Sequence, residues 1–370
     1  MKTILLKYKK EYICNMFIGK DLLVDINKYL TPILPGKKAV IITNPLVREL
    51  YGNKIADLFS ENGILTHIIE IPDGEKSKSL LMAGNIYDHL LQFKTDRSTS
   101  LVALGGGVIG DLAGFVAATF MRGIPLIHIP TTLLAQIDSS IGGKTAIDHP
   151  KAKNIIGSFY QPIACIADTD VLASLPIAHL KNGIVEAIKI AIISSPSFFS
   201  WIDDNIEQLL FKDKNALENL VNQAARLKVN IILEDPWENH RRYFLNLGHS
   251  IGHALEVTGG YDWITHGEAV ALGTILETRI ATYKRLCEPE EKQRIENIFR
   301  KLKILENIDL TKIKPLECWN AILLDKKNKN GNIRFVLPEK VGKVKLQQSI
   351  VKKDVDYAFD SLQNTGGSKK

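Results

Sequence analysis

Closely spaced cysteines are missing from this chain. Its four cysteines, Cys14, Cys165, Cys287 and Cys318, are scattered over 370 residues with no close pair. That argues against a disulfide framework and against a thiolate zinc site, and it suits a reducing compartment. A strong charge bias is also missing. Lys and Arg number 47 against 41 Asp and Glu, a net charge of +6. This is enough to favour small anionic ligands and too little to call for nucleic acid, and no basic run is interleaved with aromatics. Near the N-terminus the apolar run Ile4-Leu5-Leu6 is cut by Lys7, too short for a signal peptide. Residues 101–121 are long and nearly free of charge, but Gly105-Gly106-Gly107, Gly110 and Asp111 lie among them. A carboxylate there would be costly in lipid. The expectation is a cytoplasmic protein with no membrane span, no nucleic-acid partner and no internal repeat.

What is present is ordinary globular composition, 45% hydrophobic and 24% charged, in a chain long enough for two cores. The first half alternates. Lys38-Ala39-Val40-Ile41-Ile42-Thr43 is β-branched and apolar, and Asn44-Pro45 ends it. Further strands are expected at 65–71, 100–104 and 126–129, with a helix capped by Ser77 running to about Phe93 and another after the glycine run. Such alternation predicts a mostly parallel, doubly wound sheet. Beyond Pro176 the pattern turns helical, at 184–193, 206–233, 250–257, 268–286 and 290–302, with strand character only at 332–337. The expected organisation is an α/β domain with a Rossmann-like parallel sheet over 1–176, a mainly α-helical domain over 177–363 and a disordered tail over 364–370.

Gly105, Gly107 and Gly110 fit a G-x-G-x-x-G turn between a strand and a helix. Glycines let the backbone approach a pyrophosphate, whose charge meets the helix N-terminus. The turn departs from the usual fingerprint. It follows the third predicted strand, and Pro130-Thr131-Thr132 stands where a ribose-binding acid is usual, about 20 residues on. A ligand-free tight turn is the plain alternative. Asp73-Gly74-Glu75-Lys76-Ser77-Lys78 ends another strand, and an acid there would suit ribose hydroxyls or simply start a helix.

Of nine histidines, three stand out. His249 and His253 are four apart and share a helix face. His266 opens another helix. Two imidazoles and one carboxylate make a common catalytic zinc set with one position open. Glu186 is a carboxylate in an apolar helix, so it needs a metal or Lys189 as partner; a surface Glu186–Lys189 pair is the alternative. Lys144, after Gly142-Gly143, suits a phosphate or carboxylate. Gly143-Lys144-Thr145 is not a P-loop, because Asp138 stands where its first glycine belongs. Lys153, Asn154, Lys228, Arg242, Asn246, Lys326 and Lys327 are polar residues in apolar surroundings, each alone more often a solvated group.

Together these blocks, in order from Pro72 to Leu337, resemble the 3-dehydroquinate synthase family. The resemblance rests on Pro72 to Lys78, Gly105 to Asp111 with Gly114-Phe115, Arg122-Gly123, Pro130 to Ala135, Asp138-Ser139-Ser140-Ile141-Gly142-Gly143-Lys144-Thr145, and Lys153 to Gly157. In the second half it rests on Glu186 to Lys189, Asn246 to Glu256, His266 to Val270 and Asp325-Lys326-Lys327. The combination is specific where no single block is. It implies a dehydroquinate synthase-like fold and a divalent cation, zinc or cobalt, on Glu186, His249 and His266. It implies NAD held by Asp73, Gly74, Glu75, Lys76, Ser77, Lys78, Gly107, Val108, Ile109, Gly110, Asp111, Thr131, Thr132, Lys144 and Lys153, with Val171, Leu172, Ala173 and Ser174 nearby. The substrate-binding and catalytic set would be Asp138, Lys144, Asn154, Lys189, Lys228, Arg242, Asn246 and His253. One of Lys326 and Lys327 would also touch substrate. Arg122 would reach the neighbouring site of a homodimer.

The implied reaction is that of a carbon–oxygen lyase acting on a small anionic phosphorylated keto acid. NAD is regenerated in each turnover of the conversion to 3-dehydroquinate. Alternatives are a sister cyclase forming cyclitols, a metal-dependent polyol dehydrogenase, and an inactive regulator. Against them stand the intact Asp138–Thr145 block and the retained arginine, the anion-binding lysines, and the complete metal trio. Two positions depart from the family pattern. Asp148 replaces an asparagine, and His240 replaces the glycine of a Gly-Leu-Arg triplet while Arg242 is kept. Slower turnover or a changed local hydrogen bond is expected from these, not a different reaction.

Overall fold

The β-branched runs of the first half form one sheet. The structure is a computed structural model that describes residues 14–260, 263–306, 308–324 and 333–365. The chain divides into two units. One holds the residues up to Thr131 and Gly142–Asp168; the other holds Thr132–Ile141 and the chain from Thr169 onward.

In the first unit the strands are β1 (Asn15–Gly19), β2 (Lys38–Thr43), β3 (Leu65–Glu70), β4 (Ser100–Gly105), β5 (Leu126–Pro130), β6 (Lys144–His149), β7 (Ala152–Phe159) and β8 (Ala164–Asp168). The helices are α1 (Ile26–Leu30), α2 (Pro45–Val47), α3 (Asn53–Glu61), α4 (Leu80–Gln92) and α5 (Gly107–Thr119). Six strands pair in the order β1-β8-β5-β4-β2-β3, every pair parallel. The chain goes from β2 outward to β3 and returns on the other side of β2 with β4. The switch point therefore lies between β2 and β4, and ligands of open α/β sheets bind outside the carboxyl ends of such strands. The glycine turn follows β4, which is why it occupies that position without following the first strand.

Local chemistry sets the boundaries. Asn44 caps α2 by accepting the Val47 N–H at 2.8 Å, with Pro45 at the first helical position. Ser79, not the expected Ser77, caps α4, accepting the Met82 N–H at 3.2 Å. Ser77 lies in a 3₁₀ turn instead, and its hydroxyl donates to the Pro72 carbonyl at 2.6 Å. The antiparallel β6–β7 hairpin and strands β1 and β8 were not expected from the sequence.

The second unit holds α6 (Ile177–Ser194), α7 (Pro196–Leu210), α8 (Lys214–Glu234), α9 (His249–Thr258), α10 (His266–Tyr283), α11 (Pro289–Leu302), α12 (Pro315–Leu323) and α13 (Lys352–Thr365), and the β9 (Phe335–Lys340)–β10 (Lys343–Gln347) hairpin. The single helix expected over 206–233 is two. Lys212 takes a left-handed φ of 58°, and Asp213 starts α8 by accepting the Ala216 N–H at 2.8 Å. Helix α13 includes Asn364 and Thr365 of the expected tail; 366–370 lie outside the described residues. Among the described residues no helix is long and apolar enough to cross a membrane, and Cys14, Cys165, Cys287 and Cys318 are free thiols.

Candidate active site

In the first unit the glycine turn is built by close packing. A Cβ on Gly105 would lie 2.6 Å from Ile109 Cγ1, so only glycine lets the end of β4 meet the first turn of α5. Gly107, Val108, Ile109, Gly110 and Asp111 form that first turn and point its unpaired N–H groups at the switch point. Thr131 closes β5 beside it, its N–H bonded to the Gly105 carbonyl at 3.0 Å. Asp73 accepts from Asn44 Nδ2 at 3.1 Å. Gly74 turns with φ 98°, and Glu75, Lys76 and Ser77 form the 3₁₀ turn.

Lys78 is buried at the centre of a polar cluster. Its ammonium reaches Asp111 at 2.8 Å, Glu75 at 3.6 Å and the Asn154 side-chain oxygen. Burial works against that charge, but Asp111 and then Glu75 outweigh it and hold the Lys78 pKa above its ordinary value. Lys153 lies 4.0 Å from Glu75. Asn154, with φ 51°, donates its backbone N–H to Asp148 at 2.7 Å. An asparagine at 148 would accept that bond equally well, so the departure at this position changes charge and not connectivity. Lys144 opens β6 on the surface. Arg122 is exposed, and it and Met121 take left-handed φ values of 68° and 50°.

The second unit brings the expected metal residues together. Glu186 and Lys189 are one turn apart on α6, 1% and 2% exposed, and form an ion pair. This excludes the surface pair. Glu186 Oε1 accepts no hydrogen bond. It faces His249 Nε2 at 3.8 Å and His266 Nε2 at 3.5 Å, longer than hydrogen bonds. One ligand atom from each of the three lies within 4.8 Å of the others. His249 Nδ1 is 3.0 Å from the Leu247 carbonyl, and His266 Nδ1 is 3.3 Å from Glu256 Oε1. Both partners are acceptors, so each Nδ1 donates and each Nε2 is turned to Glu186. A buried carboxylate oxygen facing the Nε2 atoms of two imidazoles, each held at Nδ1 by an acceptor, is a donor set that fits a four-coordinate cation with one position open.

Burial disfavours the Glu186 anion, yet the Lys189 ammonium keeps its pKa below the usual value. His266 loses by burial and gains more from Glu186 and Glu256, which raise it to about 10. Lys228 donates to the Asp138 carbonyl at 2.6 Å and pairs with its carboxylate. Burial lowers the Lys228 pKa in spite of Asp138, with Lys189 and Arg242 adding repulsion. Asp138 is held below its ordinary range, the cost of burial being outweighed by Lys228 and Lys189. His253 is beside the trio, its ring centroid 5.2 Å from that of His249 and 6.4 Å from that of His266.

Arg242 is 2% exposed. Its backbone N–H donates to Asp235 Oδ2 at 3.0 Å and its guanidinium to the Pro236 carbonyl at 2.7 Å. Asn246 donates to the Tyr243 carbonyl at 2.9 Å. His240 has φ −137°, so the glycine usual there is not needed for a positive φ. Thr132 Oγ1 accepts the Ala135 N–H at 3.1 Å. Val171, Leu172 and Ala173 lie in a 3₁₀ turn with Val171 and Leu172 buried, and Ser174 donates to the Val171 carbonyl at 2.9 Å. Lys326 and Lys327 lie outside the described residues. Glu256 and Asp235 join the site without being singled out by the sequence; the signal for Glu256 is its place two helical turns after His249.

Two family models match the chain, 3-dehydroquinate synthase N-terminal over residues 68–182 and 3-dehydroquinate synthase C-terminal over 183–328. A 3-dehydroquinate synthase of Pelotomaculum thermopropionicum is 41% identical over 337 residues, 91% of either chain. The fold is similar to a 2-epi-5-epi-valiolone synthase from Streptomyces hygroscopicus subsp. jinggangensis, with NAD+ and Zn2+ bound. That match has a TM-score of 0.89 at 23% identity and covers 98% of this chain and 100% of that one. A 2-deoxy-scyllo-inosose synthase complexed with carbaglucose-6-phosphate, NAD+ and Co2+ matches with a TM-score of 0.86 at 27% identity, over 94% of this chain and 98% of that one.

Proposed function

The chain belongs to the 3-dehydroquinate synthase family, and from that membership we propose that it converts 3-deoxy-D-arabino-heptulosonate 7-phosphate to 3-dehydroquinate and phosphate, the cyclisation step of the shikimate pathway. The observation that carries the reading is the Glu186–His249–His266 trio, a buried carboxylate facing two half-buried imidazoles, with Lys189, Lys228 and Asp138 around it, in a chain so similar to 3-dehydroquinate synthases. NAD is the redox cofactor, and zinc or cobalt the cation.

The cation, when bound by Glu186, His249 and His266, supplies Lewis acidity toward substrate hydroxyls. NAD, when bound, would supply transient oxidation and re-reduction of a substrate hydroxyl, so that the overall conversion is phosphate elimination and intramolecular aldol closure with no net redox change. The protein's part is orientation and electrostatics. Asp73, Gly74, Glu75, Lys76, Ser77, Lys78, Gly107 to Asp111, Thr131, Thr132, Lys144 and Lys153 hold NAD, with Val171 to Ser174 nearby. Lys189, Lys228, Arg242, Asn246 and His253 hold the phosphate and carboxylate, and Asp138 fixes Lys228. Lys144 and Asn154 complete this substrate set.

The same reading makes the protein a cytoplasmic homodimer in which Arg122 serves the neighbouring subunit's site. Its exposure and left-handed backbone support that role. The test is purified protein with NAD, zinc and the seven-carbon phosphate, following inorganic phosphate and dehydroquinate together. Equal amounts of both are expected, with no net reduced NAD. Absence of phosphate release would reject the reading, and net accumulation of reduced NAD would identify a polyol dehydrogenase instead.

A further inference from the structure

Two helices carry the histidines of the trio, and each also carries a carboxylate that bonds at the start of the other helix. Helix α9 begins with His249, and two turns on it presents Glu256, whose Oε1 lies 3.3 Å from Nδ1 of His266 on α10. Helix α10 begins with His266, and three turns on it presents Glu277, 0% exposed. Glu277 Oε2 accepts the backbone N–H of Gly248 at 2.5 Å. The carbonyl of that same peptide, Leu247 O, lies 3.0 Å from His249 Nδ1. Glu277, the Leu247–Gly248 peptide and the His249 imidazole thus form one chain of hydrogen bonds that ends at Nδ1, with Nε2 on the far side of the ring.

We propose that Glu277 is a positioning residue for His249, acting through the Leu247–Gly248 peptide as Glu256 acts directly on His266. This rests on the reading of Glu186, His249 and His266 as metal ligands. Burying a carboxylate in the core is costly, and here it accepts the N–H of the peptide whose carbonyl meets His249. Gly248 has φ 78°, and a Cβ there would lie 2.3 Å from Thr274 Oγ1 and 2.7 Å from the Val270 carbonyl. The turn must therefore be glycine, which is the residue least restrained by its own side chain. With its N–H bonded to Glu277 the peptide plane is set, and the Leu247 carbonyl is directed at Nδ1. Polarisation along consecutive hydrogen bonds strengthens each, and partners behind metal-bound histidines typically contribute 10–100-fold to metal affinity.

The test compares wild type, Glu277→Met, Glu277→Gln and Glu277→Asp as full-length metal-free protein. Zinc affinity is read by chelator competition, the Co2+ absorption spectrum reports ligand geometry, and circular dichroism of the metal-free forms reports the fold. Glu277→Met, which has no acceptor, should fold but bind zinc about 10–100-fold more weakly, with an altered Co2+ spectrum. Glu277→Gln keeps an acceptor oxygen at the same reach and should restore affinity to within about threefold. Glu277→Asp withdraws the acceptor by one methylene and should lose about tenfold; it carries the test if the methionine variant does not fold. Wild-type affinity and spectrum in Glu277→Met, or in Glu277→Asp if only that variant folds, would overturn the proposal. So would equal losses in Glu277→Gln and whichever of the other two folds. Failure of the underlying reading looks different: wild type would bind no stoichiometric zinc, or His249→Ala would bind it as well as wild type.

Discussion

Among single residues, the informative ones are charges placed where a core should be. Glu186 is legible in the sequence for that reason: a carboxylate in the apolar run 184–193 needs a partner. The same signal marks Glu277 in α10, yet nothing in the sequence ties position 277 to a peptide 29 residues earlier. The histidines show the same limit. His128 looks incidental by its neighbours, but it is 5% exposed on β5, and a Cβ on Gly110 would lie 3.4 Å from its Cε1. It therefore lies under the first turn of α5, and burial pushes its pKa from 6.5 to about 4. The folded state keeps His128 neutral while the unfolded chain protonates it near 6.5. The associated stability is thus complete above about 6.5 and is lost as pH falls toward 4, a difference of about 3 kcal/mol overall. Urea unfolding of wild type and His128→Gln at about pH 7 and about pH 4.5 measures it. Wild type should lose about 2 kcal/mol more than the variant over that interval; parallel losses would show that His128 is not the group titrating.

At the scale of elements, the strands and helices with strong periodicity are legible, and those defined by partners are not. β2, β4 and β5 are buried runs of β-branched and apolar residues, bounded by turn signals. The β6–β7 hairpin is missed because β7 is largely exposed and has a polar, glycine-containing sequence. Its strand character comes from pairing with β6. The break between α7 and α8 is missed because the apolar period continues across Lys212 and Asp213 while the backbone turns left-handed. The pair α9–α10 matters most for the site. A Cβ on Gly273 would lie 2.0 Å from the Gly248 carbonyl and 2.9 Å from the Gly252 N. These are backbone atoms of the segment that carries His249, so they yield only if α9 moves. Gly273→Ala should destabilise the protein by about 2–3 kcal/mol, as overpacking does, and weaken zinc binding at least about tenfold. Gly84→Ala is the control. Gly84 lies in α4 with nothing within 4 Å of its would-be Cβ, and replacing it should add up to about 1 kcal/mol. If both alanines behave alike in thermal unfolding and zinc titration, close approach of α9 to α10 does not set the metal geometry.

For the whole molecule, two compact bodies were foreseeable from composition and alternation, but their membership was not. Residues 132–141 belong with the helical unit although strands of the sheet precede and follow them. No sequence pattern marks that excursion, because it is defined by packing of the Ala135–Ser139 turn against α6 and α8. Assembly is a property of the same scale, and Arg122 makes it testable. If Arg122 of one subunit serves the site of its neighbour, the site of a given subunit needs its own His249 and the other subunit's Arg122. Arg122→Ala and His249→Ala homodimers then each lack an essential group in both sites. A mixed dimer has one site with both groups intact and one with neither. Random exchange makes about half of the dimers mixed, so about a quarter of wild-type sites should become active on mixing. The experiment is to mix the two inactive variants under conditions that allow subunit exchange, and to follow dehydroquinate formation against the mixing ratio. Activity should be greatest at equal amounts and vanish at either extreme. An Arg122 that serves its own subunit leaves every site in the mixed dimer short of one group, so the mixture would show no activity beyond the sum of its parts. Light scattering of the same samples fixes whether a dimer is present at all, which separates failure of the assembly from failure of the arginine's role.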